Sequence, residues 1–529
     1  MFGKLGLSLL RNVSQIILNI KQQLINDNSS SIVLDSILLN DSVVSCGSIY
    51  RTYDVPNLSY ISYLRFGIIK FNDNDNLDST FGDYGITYVN YNDITTSETR
   101  ESTGIVTTDM CDLIDHSHRQ SMATCMCIQS ISGTDYILIG GYANIMYISK
   151  YDDDNYPAPN ISVFSIARYN LDGTLDTTFG SNGRVVKDIG AAGSSSDIFY
   201  GSGSPLLLFR SNYIRDIGVL SDGSIIVCGY ISSDSHIASS GGGSDDGVIA
   251  KFNQNGVFLS KNIITTTSAM SLNGLIIDTN TNIIYCCGES NNLVSGTSAA
   301  SVFLIAFDGS LINISSFGSH SYTNSILNTT YNFTKNTRRQ TNNTERTSAG
   351  ISISIIQDKI IVSGHIGILS GHYGTPNVPR TICTLEMYDM TGTFLSSLDM
   401  DYEYPGILSQ SYYNFKTSTI NKQTISGYDK IILGYIGFGT VSGSSGNTVV
   451  TAARVNIDGN TLVIDTNFGN GRLAALPIIS LPIGTQSAFQ KAINISSTNN
   501  NIIITGYSIQ NSKLYHFMTR FEENGTQPP

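Results

Sequence analysis

Seven times along the chain, a run rich in β-branched residues closes on a glycine. In order the runs are "SVVSCGS", "YILIGGY", "SIIVCGY", "IIYCCGE", "KIIVSGH", "KIILGY" and "NIIITGY". The closing glycines are Gly47, Gly141, Gly229, Gly288, Gly364, Gly434 and Gly506, spaced 94, 88, 59, 76, 70 and 72 residues apart. Self-similarity on this scale marks a repeat architecture, in which each unit must bury its faces on its neighbours. Each copy has the same surroundings. A short apolar run and a turn precede it, as in "IGVLSDGSIIVCG". A variable Gly/Ser/Asn-rich segment follows, and then a third apolar run such as "FSIARYN" or "GVIAKFN". These third runs mostly end in turn residues, for example "LDG", "QNG" and "MTG".

A second signature follows the third run in three copies. It is "LDSTFG" at Leu77 to Gly82, "LDTTFG" at Leu175 to Gly180 and "IDTNFG" at Ile464 to Gly469, with a remnant "SSFGSHS" at Ser315 to Ser321. A short fourth run comes next. The motif therefore sits at the corner between a third and a fourth strand. Its Asp can accept from turn amides, its Phe can pack between repeats, and its Gly tolerates a backbone that other residues resist. Four short strands per repeat and seven repeats predict an all-β fold, a seven-bladed β-propeller of four-stranded antiparallel blades. The propeller is expected over residues 31–529, with residues 1–30 as an N-terminal extension.

The stretch "RYNLDGTLDTTFGSNGRVV" followed by "IRDIGVLSDGSIIVCGY" resembles the delta-60 repeat, a β-propeller repeat of unknown function found in many secreted and surface proteins. The resemblance is close at Ala167 to Val186 and Ile214 to Tyr230, and partial at Ile68 to Val89 and Ala453 to Leu473. It implies a fold and brings no catalytic residues with it.

Composition agrees with an all-β chain. Tyr (29) and Gly (49) are abundant and Trp is absent, which suits pleated, half-buried strands joined by turns. The Asn, Ile and Tyr bias also fits an AT-rich genome. The net charge of −12 and the lack of a basic stripe exclude nucleic acid as an expected partner. No apolar run approaches the ~20 residues of a membrane span, and "MFGKLGLSLLRNVSQIILNI" makes a poor signal peptide. Cys46, Cys228 and Cys287 occupy one slot of the repeat, directly before the closing glycine, and are expected as reduced core residues. A reducing compartment fits them best.

The loops are expected to divide by face. Turns joining strands one to two and three to four are short, and lie on one side of the disc. Connections joining two to three, and blade to blade, are long and lie on the other. They include "YANIMYISKYDDDNYPAPN" and "HIGILSGHYGTPNVPR". Binding is expected on the long-loop face, with Tyr142, Tyr147, Tyr151, Tyr156, His372 and Tyr373 as candidate residues. The blander alternative is that these side chains pack their own loops. "CDLIDHSHRQSMATCMC" holds Cys111, His116, His118, Cys125 and Cys127 but matches no zinc spacing. The acidic runs "NDNDNLD" and "YDDDNY" lack the spacing of a calcium loop. No nucleophile elbow, phosphate loop or dinucleotide fingerprint is present. No metal, cofactor or catalytic residue is therefore expected.

The role expected from sequence is a non-enzymatic structural or protein-interaction module within a larger assembly such as a virion, with other proteins as partners. The alternatives are a glycan-binding or adhesion propeller, and a propeller hydrolase or lyase. One question concerns ring closure. Blade seven has three strands before "TQPP", so its fourth is expected from residues 1–30. Val13 to Ile20 would then pair antiparallel with the third strand of blade seven. The rival reading is an amphipathic helix, since Phe2, Leu5, Leu9, Val13, Ile16, Ile20 and Leu24 recur at helical spacing.

Overall fold

The computed structural model describes residues 21–23, 31–55, 58–89, 99–100, 105–106, 121–146, 160–189, 198–201, 204–207, 210–233, 245–264, 269–290, 301–324, 329–336, 348–368, 380–399, 414–439, 447–469, 473–475, 485–510 and 513–525. All regular structure among them is strand, and it forms the seven-bladed propeller, apart from two hairpins, Thr99–Arg100 with Ile105–Val106 and Ile198–Gly201 with Ser204–Leu207, that pair outside the blades. Blade three shows the plan. Its strands Arg210–Val219, Ile225–Ser233, Asp246–Phe252 and Phe258–Ile264 pair antiparallel in chain order. The first strands of the seven blades are Ser31–Leu39, Ser121–Ile131, Arg210–Val219, Met270–Asp278, Ser348–Ile356, Asn414–Ile425 and Thr485–Ile495. Each packs on the first strand of the next blade, and the seventh packs on the first, so these strands form the inner ring.

The apolar core is divided among the blade interfaces. Cys46, Phe66 and Ile68 of blade one meet Ala123, Ile137 and Ile139 of blade two. Cys125, Leu138 and Phe164 of blade two meet Ile214, Val227 and Val248 of blade three. Alternate residues of every central strand face opposite interfaces, which is why the runs are apolar throughout instead of alternating with polar residues.

The closing glycine has a steric cause. In every blade but the sixth a first-strand β-bulge lies opposite it, for example between Val33 and Asp35, Ala123 and Cys125, and Ile214 and Asp216. The extra residue pushes the first-strand carbonyl toward the second strand. A Cβ on Gly229 would lie 1.9 Å from the Tyr213 carbonyl oxygen, and one on Gly47 1.8 Å from that of Ile32. No side chain fits there. The residue before this glycine pairs with the first residue after the bulge: Cys46 with Asp35, Cys228 with Asp216, Cys287 with Gly274. The three thiols are equivalent, fully buried and free, as their shared slot requires.

LDTTFG is a clasp between blades. Asp176 Oδ1 accepts from the Thr178 amide and hydroxyl, and Oδ2 from Arg168 Nε at 2.7 Å. Phe179 is fully buried, and Gly180 takes a φ of 54°. The Gly180 amide donates to Asn255 O, in the three-to-four turn of the next blade. Gly82 donates likewise to Asp172 O, Gly318 to Thr391 O and Gly469 to Asn524 O. Phe179 also lies over Gly256 of that neighbouring turn, where a Cβ would come within 2.8 Å of the ring. The "LDG"-type turn of one blade thus receives the Phe of the blade before it.

The ring is closed by an N-terminal strand. Lys21–Gln23 pairs antiparallel with Lys513–Phe521, in the register Lys21 with Met518 and Gln23 with His516. The expected pairing direction and partner strand are found, with later residues making the contact; Val13 to Ile20 lie outside the described residues. Blade four departs from the plan. Its fourth strand, Thr329–Asn336, is reached through an additional strand, His320–Asn324, that pairs on its outer side.

Candidate functional site

The two faces of the disc are put to different uses. On the short-turn face, clasps tie blade to blade. Arg168 lies between the rings of Phe179 and Tyr136, each 4.7 Å away, and Gln129 bridges it to the Gly223 and Gln254 carbonyls. Blade six repeats this arrangement with Arg454, Asp465, Phe468 and Gln423. These buried polar groups are spent on one another, as low-dielectric surroundings demand.

Toward the long-loop face the picture differs. Tyr142 follows Gly141 on the second strand of blade two, and Tyr230 follows Gly229 at the same place in blade three. Tyr213, on the first strand of blade three, pairs directly with Tyr230. The Tyr142 and Tyr213 rings meet edge to face at 4.9 Å, and Tyr213 stacks on Tyr230 at 4.9 Å. All three are half-buried. Arg215, the extra residue of the blade-three bulge, is exposed and lies over the Tyr230 ring at 5.0 Å. Glu289 takes the place after the closing glycine in blade four, opposite Ser271. Ser271 donates to Asn273 Oδ1 at 3.0 Å. Aromatic faces, a guanidinium, a carboxyl and an amide thus belong to adjoining blades at one end of the inner ring.

Electrostatics sort these groups. Burial raises the Tyr142 and Tyr230 hydroxyls above the usual phenol range, with Arg215 pulling both part of the way back. They stay protonated at neutral pH and are poor bases. Burial likewise raises the Glu289 carboxyl, against Arg215 and Ser271, which favour its ionised form. Deeper in the ring, Asp35 accepts from the Met126 amide of blade two and Asp216 from the Leu275 amide of blade four. Burial lifts Asp35 to about 8, with Asp216 adding repulsion, and lifts Asp216 to about 6. Both carboxyls are consumed in joining blades.

Of the residues nominated from sequence, Tyr142 lies in this cluster. Tyr147, Tyr151, Tyr156, His372 and Tyr373 lie outside the described residues. Tyr213, Arg215, Tyr230 and Glu289 were not anticipated. A signal for Tyr230 was present: "GY" closes four of the seven runs. Nothing local marks Arg215, whose position depends on the bulge. Cys125 and Cys127 lie on the first strand of blade two, while Cys111, His116 and His118 are outside the described residues. The run "NDNDNLD" folds as a turn: Asn72 Oδ1 accepts from the Asn74 and Asn76 amides, Asp75 pairs with Arg520 and Asp78 with Lys70.

A family model described as "Domain of unknown function (DUF5122) beta-propeller" matches residues 160–179 and 220–258. No curated protein matches the chain. Among solved structures, the chain is similar to an ulvan lyase of a new polysaccharide lyase family, at 11% identity and a TM-score of 0.41, over 96% of this chain and 97% of that one. It is similar to an α-L-arabinofuranosidase from Fusarium graminearum, at 8% identity and a TM-score of 0.33, over 75% and 92% of the two chains. It is also similar to a mutant sialidase from Trypanosoma rangeli, at 7% identity and a TM-score of 0.33, over 95% and 58%. The non-enzymatic structural or interaction module expected from sequence finds no support among these matches, which are carbohydrate-acting enzymes, and that expectation is withdrawn. The family match and the strand order agree on a chain built from a β-propeller repeat of unknown function.

Proposed function

We propose that the long-loop face binds a saccharide at the Tyr142, Tyr213 and Tyr230 cluster, and that the repeats are of the delta-60 type. One observation carries the ligand reading. Three half-buried tyrosines adjoin at the axial ends of two blades, with polar groups of Arg215, Glu289 and Ser271 alongside. A sugar presents an apolar C–H face and a hydroxyl edge, which suits a ring platform with hydrogen-bonding groups beside it. The opposite face supports no such reading, because its polar groups are engaged in clasps. Isothermal titration against a panel of neutral and acidic oligosaccharides tests the proposal. Tyr142→Ala and Tyr230→Ala should each weaken binding about tenfold, the cost of removing a central aromatic anchor, while Tyr230→Phe keeps the platform. Silence across the panel, or alanine variants that bind like the parent, would sink it.

A second reading is favoured by Glu289. A carboxyl lifted by burial beside a guanidinium has the character of an acid for glycosidic cleavage. Turnover of a bound saccharide that disappears in Glu289→Gln, with binding retained, would establish it.

A further inference from the structure

The repeat provides its own control for what the bulge residue does. In blade two that residue is Thr124, whose hydroxyl donates to Ile214 O of blade three at 2.6 Å. In blade four it is Asn273, whose amide donates to Gly350 O of blade five at 2.9 Å. Here the position ties one blade to the next around the axis. In blades one and five it is apolar, Leu34 and Ile351. Blade three puts a charge there, and so does blade seven with Lys491. Arg215 makes no hydrogen bond to blade four among the described residues, though its charge favours the ionised form of Glu289 there; the bonded contact is made by its neighbour Asp216, which accepts from the Leu275 amide. The Arg215 side chain turns instead onto the Tyr230 ring, with a long 3.4 Å contact to the Tyr230 hydroxyl. It is exposed and forms no ion pair among the described residues. A guanidinium stacked on an aromatic face keeps its N–H edge free, and that edge matches an anionic oxygen pair.

We propose that Arg215 makes the tyrosine cluster selective for an anionic saccharide, one whose ring stacks on the tyrosines while its carboxylate or sulfate group meets the guanidinium. This rests on the saccharide reading above. The bulge holds the guanidinium at the axial end of blade three, and stacking on Tyr230 fixes its plane before the ligand arrives, which lowers the ordering cost of binding.

The test uses the full chain and three probes: a polyuronate oligosaccharide, its carboxyl-reduced form and a sulfated derivative of that reduced form. The protein should bind one or both anionic probes about tenfold or more better than the reduced one, as a charge-assisted pair predicts. The stronger of the two anionic probes tells which anion is preferred. In Arg215→Gln that preference should vanish, with the anionic probes falling to the affinity of the reduced one. Arg215→Lys, which keeps charge and loses the fork, should fall between them. Equal binding of all three probes by the parent would overturn the anionic assignment and leave the saccharide reading standing. So would a preference that survives in Arg215→Gln. Binding of none of the three, together with silence across the wider panel, would overturn both.

Discussion

At the residue scale, single atoms decide where this fold admits side chains. The closing glycine is demanded by a carbonyl oxygen of the adjacent strand, displaced by a bulge. Gly229 lies between Cys228 in the core and Tyr230 in the candidate site, so it links packing to binding. Gly229→Ala would place a methyl group 1.9 Å from the Tyr213 oxygen, and that atom is backbone, which cannot swing aside. The first strand must shift, and Tyr213 shifts with it. We expect a loss of about 2–3 kcal/mol, the upper range for overpacking a close-packed interior. Denaturant unfolding would measure it, and saccharide affinity should fall in the same variant. A variant as stable as the parent would show that the bulge relaxes freely and that the glycine has another cause.

At the element scale, the unit that matters is the clasp between blades, more than the blade itself. Arg168 is almost fully buried and engages Asp176, Gln129 and the Gln254 carbonyl at once. Truncating it strands a buried carboxylate and an amide. Breaking a buried pair from one side typically costs about 3–5 kcal/mol. Arg168→Ala should therefore unfold at markedly lower denaturant, and Arg168→Lys should recover little, since a point charge cannot serve three acceptors in a plane. A loss under about 1 kcal/mol, typical of surface pairs, would refute the clasp as a stabilising unit. This scale also shows what the sequence could and could not reveal. The Asp, Phe and Gly of LDTTFG were legible because they recur together at one fixed spacing in three blades. Arg168 and Gln129 were not, because they meet each other across strands of one blade and the Gln254 carbonyl across to the next, and the equivalent pair Arg454 and Asp465 stands at a different spacing from Arg168 and Asp176. The candidate site follows the same division. Tyr142 was visible beside its glycine, whereas Arg215 and Glu289 join it only through the stacking of three successive blades.

At the scale of the whole molecule, stability depends on the seam between blade seven and blade one. Ser36 contacts Thr505 at 2.7 Å, Asn494 donates to Ser36, and Arg520 reaches Asp75 across it. His516 lies in the middle of this seam. It is fully buried, stacked on Phe71 at 4.7 Å, and its Nε2 has no hydrogen-bond partner. Burial lowers its pKa to about 3, against 6.5 for a free histidine. Between those values the unfolded chain holds a proton that the folded chain refuses, so this residue makes stability fall as pH drops below 6.5. Asp35 and Asp216 act in the opposite sense. Raised to about 8 and about 6, they keep protons in the folded state that the unfolded state has released, and so lower stability as pH rises above about 4. The total pH dependence sums groups of opposite sense, so the contribution of His516 must be read by difference. His516→Phe keeps the stack on Phe71 and removes the titration. Relative to the parent it should gain about 1.4 kcal/mol per pH unit as pH falls from 6.5 toward 4, measured by denaturant unfolding at each pH. Below pH 6.5 amide exchange in Lys513–Phe521 should also quicken in the parent and not in the variant, because the opened seam takes up a proton that the closed seam refuses. Parallel stability curves for the two proteins would show that His516 is protonated in the folded ring as easily as in water, and that the seam opens for some other reason.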